Sequence, residues 1–347
     1  MIDSSDFVCI VGAPRSGTTS LARFLGTHPK VDFSVVKEPH FFSRYNLADC
    51  STAKLRDIVE KDYLARFFPD RSPERPLLAE GSVSYLYTPE RMEPILRIWP
   101  KAKFVIAVRD PLQMLTSLHQ RLLCTGDEAV TDFAAAWALT LARREGRRIP
   151  RSCIDPRCLD YRELARLGTH VERFFEIVGR ERCFVSVFDD LTADPASLYS
   201  DLLEFLELPH DGRSSFPAHR MASGFKSGSL QRFLKRPPVI TRQFLAGELF
   251  RQRVRRLDSS RKPPAWVRAI FAARERLIDW NQAPAPEPNV PLAVRREICE
   301  VFAGEIAQLG HLLGRDLGHW LDGTVCATFP SPAAGAWDHQ PAQVARI

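Results

Sequence analysis

The sequence predicts an α/β fold: a three-layer sandwich with a central parallel sheet flanked by helices, followed by a helical C-terminal part. Three observations predict it. Residues 7–11, 103–108 and 183–188 are continuous apolar runs of strand length, the pattern of strands buried on both faces. Helical periodicity fills intervals between strand runs, as in Glu163 to Val178 and Pro195 to Leu206. The first run also passes through a glycine-containing turn, Gly12 to Thr19, straight into a helical pattern carried by Leu21, Phe24 and Leu25.

The elements follow in order. Phe7-Val8-Cys9-Ile10-Val11 opens the sheet, and Leu77-Leu78-Ala79-Glu80 is a shorter strand. Lys103 to Val108 is a third strand, after which Asp110 can cap and Pro111 can start a helix. Cys183 to Phe188 is the next strand, ending at Asp189-Asp190. Strand signals fade after about residue 215, where Pro237-Pro238, Pro263-Pro264 and Pro284 to Pro291 punctuate helical stretches. Val294 to Leu313 reads as a closing amphipathic helix with Ile298, Val301, Phe302, Ile306, Leu309 and Leu313 on one face. One domain is expected over residues 1–322. Residues 323–347, rich in Pro, Ala and Gly, are expected to form a disordered tail.

Composition narrows the class. The chain has 347 residues, enough for one large core, and no apolar run reaches the roughly 18 residues of a membrane span. Met1 to Asp6 carries two acids and no basic n-region, so a cytoplasmic protein is expected. The eight cysteines include no CxxC pair, which argues against a zinc knuckle, and no metal is expected. Cys153 and Cys158 could bridge locally, but a reducing compartment favours two free thiols. Net charge is +6, and between Arg220 and Trp280 there are 15 Lys/Arg against four acids. Such a stretch favours anionic ligands or membrane surfaces; by itself it does not indicate a nucleic-acid partner.

The segment Gly12-Ala13-Pro14-Arg15-Ser16-Gly17-Thr18-Thr19 carries the clearest chemistry. Its glycines let backbone amides turn toward a bound anion, and the helix start adds partial positive charge. The geometry is P-loop-like, but the kinase pattern ends in Gly-Lys-Ser/Thr, whereas Thr18 follows Gly17 here. The nearest cation is Arg15, inside the loop, where it can grip an oxyanion with two donors. The missing lysine argues against ATP-Mg chemistry.

Residues 13–21 followed by Leu25-Gly26-Thr27-His28-Pro29 resemble the 5′-phosphosulfate loop of the sulfotransferases, most closely the bacterial and heparan-sulfate-type branch. Three further blocks fit that family in order: Lys37-Glu38-Pro39-His40-Phe41-Phe42; Val108-Arg109-Asp110-Pro111 with Ser117 eight residues after the arginine; and Phe188-Asp189-Asp190-Leu191 with Asp194-Pro195. The end, Leu313 to Leu317 then Trp320, fits as well. The resemblance implies that 3′-phosphoadenosine 5′-phosphosulfate is the co-substrate and adenosine 3′,5′-bisphosphate the product, without a metal. It implies that Arg15, Ser16, Gly17, Thr18, Thr19 and Ser20 hold the 5′ side and Arg109 and Ser117 the 3′-phosphate. Lys226, in Ser223 to Gly228, is a further ligand by the same analogy, but the Lys-Gly-Phe-Tyr form of the heparan-type branch is missing, and a solvated lysine is an equal reading.

Glu38 aligns with the catalytic glutamate of the heparan-type branch and is the expected general base, with Lys37 and Arg15 as cations for the leaving oxygen. His40 is the rival base, since histidine titrates near working pH. The bland alternatives are a turn-capping Glu38 and a His40 packed on Phe41 and Phe42. One departure stands out. The branch carries Glu-Lys where this chain has Glu80-Gly81, so the catalytic cation comes from elsewhere or the acceptor differs, with Glu80 lining the cleft. The acceptor is a hydroxyl or amine of a small molecule, lipid or carbohydrate, and neither its identity nor the oligomeric state is encoded. Residues 231–257 mix apolar and basic side chains, as a solvated amphipathic helix, a cover over the acceptor cleft or a surface for peripheral contact with an anionic membrane would. Two other functions compete: a small-molecule kinase, which needs a lysine after Gly17 and a Mg-binding carboxylate such as Asp110 or Asp189, and a non-catalytic nucleotide-binding protein on the same fold.

Overall fold

The structure is a computed structural model that describes residues 6–217, 223–235, 265–284 and 289–322. Its centre is a five-stranded parallel sheet built from β1 (Asp6–Gly12), β2 (Val31–Phe33), β3 (Leu77–Gly81), β4 (Lys103–Val108) and β5 (Cys183–Val187). The strand order is β2-β3-β1-β4-β5. Alternate residues of each strand feed opposite cores. Phe7, Cys9 and Val11 join Phe104, Ile106 and Val108 in one, while Val8 and Ile10 join Val105, Ala107 and Ala79 in the other. Burial on both faces explains why these strands read as unbroken apolar runs.

Helices cover both faces. Helix α1 (Thr18–Gly26) packs Leu21, Phe24 and Leu25 onto one core, beside Tyr199 and Leu202 of α4 (Pro195–Phe205). On the other face lie α2 (Pro111–Thr125), α3 (Leu167–Val178) and the closing helix α7 (Leu292–Leu313). As expected, Asp110 caps α2: its Oδ1 accepts from Leu112 N at 2.9 Å, with Pro111 as the first helical residue. Helix α5 (Gly228–Lys235) packs on α2, and α6 (Ala265–Asn281) packs on α5. No described helix is long and apolar enough to cross a membrane.

Four expectations need correction. The strand expected to reach Phe188 ends at Val187, and Phe188 starts a short helix, Phe188–Ala193. Strand β2 was not expected; at three residues with Asp32 in the middle, it is too short to show a period. Beyond residue 215 a small antiparallel ribbon exists, pairing β6 (Ser223–Phe225) with β7 (Gln282–Pro284). On α7, Ile298, Phe302, Ile306 and Leu309 are buried as expected, but Val301 is 38% exposed because it lies at the margin of that stripe. Cys153 and Cys158 are free thiols. Of the basic segment only residues 231–235 fall among those described; the expected tail and Cys326 lie outside them.

Candidate active site

The chain leaves β1 toward β2 and β3 on one side, and leaves β4 toward β5 on the other. The crevice between the carboxyl ends of β1 and β4 is therefore the switch point at which open α/β sheets bind ligands. Both arginines singled out in the sequence stand there, Arg15 after β1 and Arg109 after β4. Arg109 Nη1 donates to the Arg15 carbonyl at 3.1 Å, and Arg15 Nε donates to Ser117 Oγ at 3.0 Å. The residues expected at the 5′ and the 3′ ends of the nucleotide are thus hydrogen-bonded to one another.

The loop between β1 and α1 is shaped for an anion. Gly17 sits at φ 92°, and a Cβ there would lie 2.4 Å from Leu191 Cδ2. The site therefore demands glycine on grounds of both conformation and space. Arg15 also takes a left-handed φ of 62°. Helix α1 begins at Thr18 with no side-chain cap and no acid in its first turn, so its first amides and positive end are free to receive a negative ligand. Ser16 and Thr18 are buried, while Thr19 and Ser20 are half-buried on the opening turn.

Among the described residues neither arginine has a carboxylate within ion-pair distance. Arg109 is 6% exposed, yet among the described residues its hydrogen bonds reach only the Gln113 side chain, at 3.0 and 3.3 Å, and the Arg15 carbonyl. Its guanidinium also lies 4.0 Å from the centre of the Phe188 ring. Burial pulls it down to about 10, the Arg15 charge adding to that and Asp110 opposing it. Burial and then the charge of Arg121 lower Arg15 too. Arg121 was missed in the sequence; it stands one turn beyond Ser117 on α2, and an i, i+4 spacing from Ser117 was its only signal. Asp110, the neighbour that a surface ion pair would use, is turned away to cap α2.

On the β3 side of the crevice lies the second group. Lys37 Nζ donates to Glu38 Oε1 at 2.8 Å, and His40 Nε2 lies 3.4 Å from Glu38 Oε2. His40 Nδ1 meets Ser84 Oγ at 2.7 Å, and Ser84 Oγ meets Ser43 Oγ at 2.8 Å. Burial pushes Glu38 up, but the hydrogen bonds and charges of His40 and Lys37 outweigh it, and the carboxyl is held down to about 2. Glu38 in turn acts on the charge of Arg15, which ties the two groups into one site. Glu38 is no simple turn cap, and the ring of His40 is engaged by polar partners while Phe41 and Phe42 are buried. Ser82 and Ser84, which organise His40, gave no sequence signal; serine is common in loops.

Glu80 does not line the cleft. It is fully buried, a correction to the expectation, because β3 is sandwiched between β2 and β1. Lys226 is exposed, its ammonium 5.0 Å from the Trp280 ring centre, and no contact joins it to Arg15, Arg109 or Ser117 among the described residues. Its loop is nevertheless fastened: Lys226 N donates to Asn281 O at the end of α6 at 2.8 Å, and Gln231 Nε2 on α5 donates to Cys124 O of α2 at 2.7 Å.

The carboxylates a kinase would need are committed elsewhere. Asp110 caps α2, and Asp189 Oδ2 accepts from Trp320 Nε1 and meets His319 Nε2, each at 2.8 Å. Among the described residues no group of three or more His, Cys, Asp or Glu is placed to hold a metal.

Comparison with known proteins agrees with this geometry. The profile of the sulfotransferase family matches residues 7–212. The human bifunctional heparan sulfate N-deacetylase/N-sulfotransferase 3 is 25% identical over 224 residues, 61% of this chain and 24% of that protein. Human heparan sulfate glucosamine 3-O-sulfotransferase 3B1 is 30% identical over 114 residues, 33% of this chain and 26% of that protein. The chain thus spans about a quarter of the length of these curated relatives. A sulfotransferase structure from Alicyclobacillus acidocaldarius shares the fold with a TM-score of 0.56 and 23% identity, covering 90% of this chain and 97% of that one. With a family profile matching more than half its length, and an anion loop in the position the fold reserves for it, the chain belongs to the sulfotransferase family.

Proposed function

We propose that the protein transfers a sulfuryl group from 3′-phosphoadenosine 5′-phosphosulfate to a hydroxyl or amine of an acceptor. The observation that carries this reading is the pair of guanidinium groups at the β1/β4 switch point, Arg15 and Arg109, whose hydrogen bonds among the described residues go only to uncharged oxygens. A buried cation without a carboxylate is costly. A ligand bearing anionic groups at both ends of a nucleoside meets that demand. On this reading the loop 12–20 and Arg15 hold the 5′ phosphosulfate, and Arg109 and Ser117 hold the 3′-phosphate. The ligand is a substrate, consumed and replaced at each turnover.

In the reaction the acceptor oxygen or nitrogen forms a bond to sulfur while the bond from sulfur to the bridging phosphate oxygen breaks. The acceptor proton goes to Glu38, and negative charge collects on the leaving bisphosphate. Arg15, the α1 amides and Lys37 stabilise that charge, so placement and electrostatics supply most of the effect, as in phosphoryl transfer. Lys37 takes the role of the cation that Gly81 cannot supply. A second assignment, His40 as the proton acceptor oriented by Glu38, is favoured by the low Glu38 value of about 2, since a carboxylate held that low is a weak base. The pH dependence of kcat separates them: an acid limb that H40N abolishes selects His40, and one that E38Q alone abolishes selects Glu38.

The direct test is transfer of labelled sulfate from the phosphosulfate nucleotide to a panel of carbohydrate, lipid and small-molecule acceptors, with calorimetry against adenosine 3′,5′-bisphosphate alongside. Binding of the bisphosphate in the absence of magnesium supports the reading. A protein that ignores the bisphosphate and takes up Mg-ATP refutes it.

A further inference from the structure

Two hydrogen bonds away from the His40 backbone, through Ser82, lies a carboxyl that no step above uses. Glu80 sits on β3, paired with Cys9 of β1, and has no exposed surface. Among the described residues no cation pairs with it. A carboxyl inside a parallel sheet costs stability relative to an apolar residue of similar size. Its neighbours are polar but weak: Cys9 Sγ donates to Oε1 and Ser82 Oγ donates to Oε2, both at 3.4 Å. The hydroxyls of Tyr63 and Tyr85 are close enough to feel its charge.

Ser82 links this carboxyl to the site above. It too is fully buried, and its Oγ accepts from His40 N at 2.9 Å. His40 holds a φ of 53°, a conformation that a non-glycine residue keeps only when its surroundings impose it. The His40 ring then spans from Ser84 Oγ to Glu38. A continuous line therefore runs from Glu80 through Ser82 and the His40 backbone to the His40 ring and Glu38.

We propose that Glu80 is a positioning residue: by orienting the Ser82 hydroxyl it pins the left-handed His40 and so fixes the His40 ring against Glu38. It touches neither nucleotide nor acceptor. A hydrogen-bonding carboxyl at this point, where an apolar residue would suit the sheet better, is explained by that task. Burial pushes Glu80 up to about 7, against the pull of Tyr85, Cys9, His40 and Ser82. The titratable groups that face it are Cys9 from β1, Tyr63 from the helical stretch Val59–Leu64, Tyr85 from the turn Tyr85–Tyr87, and His40 from the segment after β2.

The inference rests on reading Glu38 and His40 as the proton-accepting pair, and the test separates the two ideas. The Cε1–H resonance of His40, assigned with H40N, is followed in wild type, E80Q, E80L and S82A. Bisphosphate affinity is measured by calorimetry, and turnover with whichever acceptor the labelled screen yields. E80L and S82A should each displace or broaden the His40 resonance, leave bisphosphate affinity within about twofold, and lower kcat about 10- to 100-fold, the cost of a small misplacement. The double variant should be no worse than either single one, since both cut the same line. E80Q, which can still accept from Ser82, should restore the resonance and most of kcat. The proposal is overturned if the His40 resonance is unmoved in both E80L and S82A, if E80Q is as impaired as E80L, or if the loss appears equally in bisphosphate binding. If E38Q and H40N both turn over like wild type, the reading of the pair fails instead.

Discussion

Replacing Arg109 with alanine should weaken binding of adenosine 3′,5′-bisphosphate about 100-fold. The magnitude comes from the site. Arg109 is almost wholly buried and is pulled down to about 10 by burial and by Arg15. At about 1.4 kcal/mol per pH unit, keeping its charge in the unliganded protein costs roughly 3 kcal/mol. A phosphate recovers that cost when it binds. Charge-assisted hydrogen bonds, at about 1.5–3 kcal/mol each, lead independently to the same scale, and about 3 kcal/mol is roughly a hundredfold in affinity. Calorimetry should be run against the 3′,5′-bisphosphate and against adenosine 5′-monophosphate, which lacks the 3′-phosphate. R109A should lose its hundredfold on the first ligand and little on the second, and the difference should survive raised salt because the group is shielded from screening. R109K, which keeps the charge without the fork, should fall between. If R109A binds the bisphosphate within about threefold of wild type, or loses both ligands equally, Arg109 does not hold the 3′-phosphate.

Four further outcomes follow from the same geometry. E38Q should cut transfer about 100-fold or more at unchanged bisphosphate affinity, read as kcat against Kd; near-wild-type turnover removes Glu38 from proton transfer. G17A forces a Cβ to within 2.4 Å of Leu191 at a left-handed φ, and should cost about 1–3 kcal/mol in chemical denaturation along with most nucleotide binding. E128A leaves Arg143 buried without the bidentate partner it holds at 2.7 and 2.8 Å, and should destabilise by about 3–5 kcal/mol in urea, whereas E38Q should not. Because burial raises Glu80 to about 7, the stability it contributes is fully present below about pH 4 and is lost as pH rises through about 7; E80Q should flatten that part of the stability–pH curve, and an unchanged slope between about pH 4 and 7 contradicts the assignment.

Much of the fold was legible because one physical pattern repeats: strands buried on both faces cannot alternate polar and apolar residues. Residues 7–11, 77–80, 103–108 and 183–187 all show it, and all lie in the parallel sheet. What escaped was short or supported from outside. Strand β2 has three residues and is held by β3, while the β6–β7 ribbon owes its register to pairing across more than fifty residues of chain. The anion loop was readable because its demands are local: glycine at Gly17, arginine at Arg15, a helix start at Thr18. The environment of Glu80 was not, because its neighbours Cys9, Tyr63 and Tyr85 come from three separate elements. Local signals gave Glu38 and His40 as rivals, whereas the packed chain makes them partners through Ser82 and Ser84.

The strand order also explains why the two halves of the chemistry are separable. On the proposed mechanism, cations for the nucleotide come from the chain leaving β1 and β4, on one flank of the crevice. The proposed proton-handling group comes from the segment after β2, whose Lys37 carbonyl accepts from Gly81 N at 3.1 Å at the end of β3, on the other flank. Lys37 belongs to the proton-handling flank by sequence and to the cations by charge, and it bonds to Glu38 itself. A lysine drawn toward a developing negative charge would release the carboxylate it holds, raising the basicity of Glu38 at the moment the acceptor must give up its proton. Under the proposed mechanism the missing lysine at Gly81 would then be no lost function: Lys37 would supply the cation from one loop away, bonded to the carboxylate it regulates.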